Sequence, residues 1–230
     1  MSGVDPSLVN EIDLFHGLEP DQLNWISERL YCRTYPGGAS IITAEQPGEV
    51  IYIIRSGTVK IHVEQADGTD VILAILGPGD VVGEMSLIDS SGRSASVITL
   101  EESQLIWMAG STFQECLRNF LPVSQNLVRI LSTRVRLANE LIQALATLDV
   151  HGRVARQMLA FAERYGRSGD NGDLLIPIRL TQSDIADLVG ASRKRVNQVM
   201  VTFKQQGYIS VDEKSRITVH DRKALARLCR

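Results

Sequence analysis

The segment Gly83-Glu84-Met85-Ser86-Leu87, followed shortly by Arg93-Ser94-Ala95, gathers residue types suited to holding an anion beside a sugar. A glycine lets the backbone come close to a bound group. A short helix starting at Glu84 would aim the free amides of its first turn, including those of Met85 and Ser86, at negative charge. Arg93 can make a bidentate, charge-assisted contact with a phosphate, to which the hydroxyl and amide of Ser94 can add. Glu84 repels phosphate, but as an acceptor it suits a ribose hydroxyl. The same residues fit a second reading, a buried Arg93–Glu84 ion pair that braces a loop, and at this level both stand.

A different chemistry is written near the C-terminal end. Leu180-Thr181-Gln182-Ser183-Asp184 opens a helix, with Thr181 as N-cap and Asp184 as a carboxylate version of the capping box. Ile185, Ala186, Leu188 and Val189 supply its inner face. Gly190 permits a tight turn, Ser192 caps a second helix, and Val196, Val199, Met200 and Phe203 recur as its buried stripe. Arg193, Lys194, Arg195, Asn197, Gln198 and Lys204 are left for solvent. Three cations in a first turn oppose the helix dipole. That placement makes sense where a polyanion lies against the helix end, because the first residues of a recognition helix reach base edges. Thr181, Gln182 and Ser183, at the start of the preceding helix, are expected beside the same nucleic acid.

The elements that must position these two sets follow from patterning. From Tyr31 to Met108 short apolar runs alternate with turns: Val50 to Ile54, then Arg55-Ser56-Gly57, then Val59, Ile61 and Val63, then Ala66-Asp67-Gly68. Val71 to Leu76, Gly77-Pro78-Gly79-Asp80, Val97-Ile98 and Leu105-Ile106-Trp107 continue the series, which predicts a sandwich or barrel. A helix is expected over Pro20 to Leu30. Val123 to Leu148 is free of Gly and Pro, and Val128, Leu131, Val135, Ala138, Ile142 and Leu145 are spaced as a coiled-coil seam. A second apolar set, Leu127, Ile130, Leu137, Leu141 and Leu148, gives the helix another face to cover. A core helix with one broad apolar stripe is the competing reading. Beyond it, His151 to Tyr165 reads as a helix and 166–173 as a polar loop. Tyr208 to Val211 and Ile217 to Val219, flanking 212–216, read as a hairpin.

The 230 residues are 44% hydrophobic and 22% charged, ordinary globular composition. Apolar runs are far shorter than the roughly 20 residues a bilayer span needs, and the start Met-Ser-Gly-Val-Asp-Pro has no leader pattern, so no membrane partner and a cytoplasmic location are expected. Cys32, Cys116 and Cys229 lack metal-ligand spacing, and no metal is expected. The net charge of −3 hides a split: residues 1–148 carry 9 basic against 18 acidic side chains, and residues 149–230 carry 15 against 9, giving −9 and +6. Such asymmetry suits a nucleic-acid-binding part joined to one that does not bind nucleic acid. No P-loop, His-Glu-x-x-His or nucleophile elbow is present, and an enzyme is not expected.

The Gly-Glu and Arg-Ser-Ala pair after a run of strands resembles the phosphate-binding cassette of the cyclic AMP receptor protein branch of the CRP/FNR transcription regulators. Ile53 to Lys60 resembles that family's β-roll, Asp149 to Ala155 its hinge, and Leu180 through Arg193 its helix-turn-helix. The resemblance implies an α+β chain: an N-terminal jelly-roll β-roll of cyclic-nucleotide-binding type (1–122), a long dimerisation helix (123–148) and a C-terminal winged helix-turn-helix (149–230). It implies a homodimer that binds cAMP as allosteric ligand and double-stranded DNA at a roughly palindromic operator through a recognition helix at 192–204, with RNA polymerase as a further partner. Gly83 and Glu84 would meet the ribose, and Arg93 and Ser94 the cyclic phosphate. The family's adenine-reading pair falls on Ala138 and Asn139, and Ala138 departs from the hydroxyl-bearing residue usual there. Relatives usually carry glutamate at the position of Lys194 and arginine at that of Gln198, so a half-site unlike the TGTGA type is expected. Two other readings are a regulator of this fold with a different effector (cGMP among them) or none, and a cyclic-nucleotide module that controls an enzyme or channel.

Overall fold

A computed structural model describes residues 4–65, 70–89, 91–169 and 172–229. The turn expected at Ala66-Asp67-Gly68 and the loop residues Asp170 and Asn171 lie outside them, as do residues 1–3. The chain divides into two compact units, residues 1–63 with 75–136 and residues 64–74 with 137–230.

The first unit opens with helix α1 (Pro6–Asn10), a 3-10 turn at Asp13–Phe15 and α2 (Pro20–Ser27). Pro20 stands at the first position of α2, where its missing N–H costs nothing, and Glu19 with Gln22 forms a capping box. The strands that follow are β1 (Tyr31–Tyr35), β2 (Ser40–Ile42), β3 (Val50–Ser56), β4 (Val59–Glu64), β5 (Asp70–Leu76, of which residues 70–74 fall in the second unit), β6 (Val81–Val82), β7 (Ser96–Thr99) and β8 (Ser103–Ala109). One sheet runs β1-β8-β3-β6, and another contains β2-β7-β4, with antiparallel pairing throughout these neighbours. Alternation decides which side chains meet: Ile51, Ile53, Val81, Ile106 and Met108 share a core with Leu14, Phe15, Ile26 and Leu30. Ile54 and Leu105, in register on the opposite face, are equally buried. Both faces of this sheet are therefore covered, as a β-roll requires.

The chain closes that core with α3 (Met85–Ile88), α4 (Gly110–Asn119) and the beginning of α5 (Leu121–Thr147). Helix α5 starts two residues before the expected point, and its first turn tolerates Pro122 because no intrahelical donor is needed there. Val123 and Leu127 are in the core, Ile130 and Leu131 pack on it, and Asn126 pins the helix by donating to the carbonyls of Leu14 and His16. The opposite side is bare: Val128 is 62%, Val135 59% and Ile142 64% exposed. The chain's own core thus covers only part of the apolar surface of α5, against the reading of a core helix with one broad apolar stripe, and Leu131, expected in the seam, is half covered by that core.

The second unit holds α6 (Val150–Tyr165), β9 (Arg167–Ser168), β10 (Leu174–Ile176), α7 (Gln182–Leu188), α8 (Arg193–Gln205), β11 (Ile209–Val211), β12 (Ile217–Val219) and α9 (Arg222–Arg227). The expected hairpin forms, but it belongs to a four-stranded sheet ordered β11-β12-β10-β9. The expected polar loop over 166–173 contains β9. Strand β10 is not among the elements expected from the pattern; it follows the polar stretch 166–173 and its order comes from pairing to β12. His220 fastens this sheet. Its Nδ1 is 2.8 Å from an Asp173 carboxylate oxygen and its Nε2 is 2.9 Å from the Ser210 hydroxyl.

Candidate ligand cassette and nucleic-acid interface

Between β6 and α3 the chain turns at Gly83 with φ +87°. A Cβ there would come within 2.6 Å of Arg93 Nη1 and 3.0 Å of the Val50 carbonyl oxygen, so the position needs glycine for its conformation and for the close approach of the guanidinium. Glu84 stands at the N-cap of α3 with its side chain 2% exposed, and Ser86 is buried behind it.

Arg93 is buried. Its Nη1 donates to the Gly83 carbonyl (2.7 Å) and to the Ser86 hydroxyl (3.0 Å), and its Nη2 donates to the Val50 carbonyl (2.6 Å). Burial pushes the guanidinium below its ordinary value, while Tyr52, Glu84 and Glu49 oppose that shift. It stays a cation, since arginine is not deprotonated in proteins. The three acceptors are neutral, and among the described residues no carboxylate forms an ion pair with Arg93. The Arg93–Glu84 brace is therefore not what forms. Glu84 is held by Arg134 of α5, whose Nη1 lies 2.6 Å from Glu84 Oε1 and whose Nη2 donates to the Val81 carbonyl. Arg93 is thus a buried cation with only neutral hydrogen-bond partners, next to an exposed Ser94 and a half-exposed Met85. Ala95 is buried and lines the segment from within.

Arg134 was not singled out by the sequence, because on a helix read for its apolar seam an arginine looks like solvated surface. Its signal would have been a buried Glu84 in want of a cation. Ala138 and Asn139 are both exposed on α5, in the part of the helix that belongs to the second unit. Ala138 and Leu145 of the expected seam are exposed like Val135 and Ile142.

In the second unit the expected capping box of α7 is present. The Thr181 hydroxyl accepts from the Asp184 amide at 3.2 Å, and Asp184 accepts from the Thr181 amide at 3.0 Å. Ile185, Ala186, Leu188 and Val189 are buried, Gly190 takes φ +60° in the turn, and Ser192 caps α8 by accepting from the Arg195 amide. Val196, Val199, Met200 and Phe203 are buried, while Arg193, Lys194, Arg195, Asn197, Gln198 and Lys204 are exposed. Ser183 is exposed and Gln182 half-exposed, at the start of α7. A further residue fixes this arrangement: Arg153 donates to the carbonyls of Leu148 (3.1 Å), Val189 (3.0 Å) and Gly190 (3.3 Å), tying the start of α6 to the turn between α7 and α8. Two helices about a glycine turn, followed by a β-hairpin, make a winged helix-turn-helix. Among the described residues no group of three or more His, Cys, Asp or Glu side chains could hold a metal, and no helix is long and apolar enough to cross a membrane.

A β-roll and a winged helix-turn-helix in one chain have the architecture of a DNA-binding regulator with a separate N-terminal domain. Comparison with known proteins gives the same result. Residues 32–120 match the cyclic nucleotide-binding domain family and residues 152–228 the Crp-like helix-turn-helix domain family. The chain is 36% identical over 217 residues to the CRP-like cAMP-activated global transcriptional regulator of Mycobacterium tuberculosis, covering 94% of this chain and 96% of that one. It is 30% identical over 197 residues to the cyclic AMP receptor protein of Thermus thermophilus, covering 85% and 87%. The solved structure of FixK2 from Bradyrhizobium japonicum shares the fold at 20% identity, with a TM-score of 0.74 over 86% of this chain and 96% of that one. The chain belongs to the CRP/FNR family of DNA-binding transcription regulators and carries that family's cyclic nucleotide-binding domain.

Proposed function

We propose that this protein is a cytoplasmic homodimer that binds cAMP through residues 83–86 and 93–95 and, when liganded, binds a roughly palindromic DNA site through α8. Sensing is assigned to residues 1–122, dimerisation to 123–148 and DNA binding to 149–230. The observation that carries the ligand reading is Arg93, a buried guanidinium whose acceptors are all neutral. A cyclic phosphate supplies the missing charge, with the Ser94 hydroxyl beside it, and Glu84 accepts from the ribose. The names of the two relatives described above specify cAMP. Two chains pair through Val128, Leu131, Val135, Ala138, Ile142 and Leu145; the support for the dimer is that four of the five exposed ones are large apolar side chains. Asn139 retains a donor and an acceptor for a base.

The two activities are linked by differential affinity: the ligand favours the dimer arrangement in which both copies of α8 fit successive major grooves, about 34 Å apart. RNA polymerase is the partner through which the bound regulator acts on transcription. Calorimetric titration with cAMP and cGMP tests the ligand directly. Saturable binding of cAMP at one site per chain, tighter than cGMP, is the expected result, and absence of heat with either nucleotide overturns it. A second reading, in which the cassette serves another effector, is favoured by Ala138, whose methyl offers adenine no hydrogen bond.

A further inference from the structure

Helix α8 carries one residue that its polar outer surface does not explain. Val201 is 42% exposed, although every other large apolar side chain of the helix faces inward. With about 100° per residue, the directions of Val196, Val199, Met200 and Phe203 average to the side opposite Val201. Val201 thus occupies the outward meridian, flanked by Lys194 two turns earlier, Gln198 one turn earlier and Gln205 one turn later. A β-branched hydrocarbon here gains nothing in helix propensity and leaves apolar surface in water.

We infer that Val201 is a base-reading residue that packs on the 5-methyl group of a thymine in the major groove. The inference rests on the DNA-binding role of α8 proposed above. The occupant is identified by charge and by shape. Arg193, Lys194, Arg195 and Lys204 on the same exposed surface complement a phosphate backbone, and thymine is the base that presents a methyl group in the major groove. Valine neither donates nor accepts, so its discrimination comes from apolar contact alone, one helical turn beyond the hydrogen-bonding side chains of Asn197 and Gln198.

The test uses the full-length chain with cAMP and an operator obtained by selection from a random palindromic library. Each thymine of the half-site is replaced in turn by deoxyuridine, which removes the methyl and keeps every hydrogen-bonding group. At one position the replacement should weaken wild-type binding about fourfold, the worth of one buried methyl. Val201→Ala should weaken binding to the unmodified site by a similar factor and should lose nothing more on the deoxyuridine site. Alanine is the better helix former, so this exposed substitution leaves the fold intact. If Val201→Ala binds like the wild type, or if the two losses simply add, the inference is overturned while the regulator reading survives. If the wild-type chain selects no operator, both fall together.

Discussion

Glu84 at the N-cap of α3 and Arg134 in the middle of α5 meet at 2.6 Å, with the carboxylate side chain 2% and the guanidinium side chain 20% exposed. The pair ties the cassette to the long helix within the first unit. Removing one member of a buried pair leaves an uncompensated charge, which is costlier than losing both. Arg134→Met should therefore destabilise the first unit by about 2–4 kcal/mol, the exposure of the arginine keeping the figure below that of a fully buried pair. Adding Glu84→Gln should restore part of that loss. Urea denaturation of the three variants measures it, and a double variant less stable than Arg134→Met alone would show that the pair is not the source.

Arg93→Ala should weaken cAMP binding by about 2–4 kcal/mol, roughly 30- to 1000-fold, since the phosphate loses its cation. The fold should persist. The three acceptors left behind are two backbone carbonyls and a hydroxyl, and a water can satisfy them in the space vacated. Arg93→Lys should fall between wild type and alanine, because an ammonium keeps the charge without the fork. Calorimetry reads all three, and near-normal affinity in the alanine variant would place the phosphate elsewhere.

Val135→Asp sets a carboxylate against its symmetry mate in the proposed seam. Dimerisation and DNA binding should fail together, and the folded monomer should keep its helix content because residue 135 is 59% exposed within the chain. Sedimentation velocity distinguishes the species. A variant that still sediments as a dimer would move the interface to another face.

How much of this could be read in the sequence depended on how local the signal was. The capping box of Thr181 and Asp184, the glycine turn at 190 and the inward stripe of α8 are each set by neighbours in the chain, and each was legible. The residues of segments 83–87 and 93–95 stand out as a group in the sequence, but their hydrogen-bond partners do not. Arg93 and Glu84 admit an ion pair by spacing, and only the tertiary approach of Arg134, fifty residues away, decides against it. Strand β10 was missed for a related reason. Its three residues become a strand because β9 and β12 flank them. On α5, heptad spacing picks out Val128, Val135 and Ile142, which the chain leaves exposed, but it could not foresee that the chain's own core reaches Leu131.

The final prediction concerns which bases α8 reads. Arg193, Lys194 and Gln198 are exposed on one helix whose opposite side is buried, so all three are free to enter a groove. Arginine matches guanine O6 and N7 through two parallel hydrogen bonds. Lys194 has only donors, so it selects guanine or a phosphate and cannot accept from cytosine N4, as a glutamate there would. Gln198 offers a donor and an acceptor, matched to adenine N7 and N6. The preferred half-site should therefore depart from TGTGA at one or two positions, each worth about 1–3 kcal/mol of discrimination. Selection from a random palindromic library with cAMP present and salt held fixed gives the answer, and Lys194→Glu with Gln198→Arg should move the selected sequence back toward TGTGA. Recovery of TGTGA by the wild-type chain would mean that Lys194 and Gln198 do not read bases, leaving base reading to Arg193 and the other exposed residues of α8.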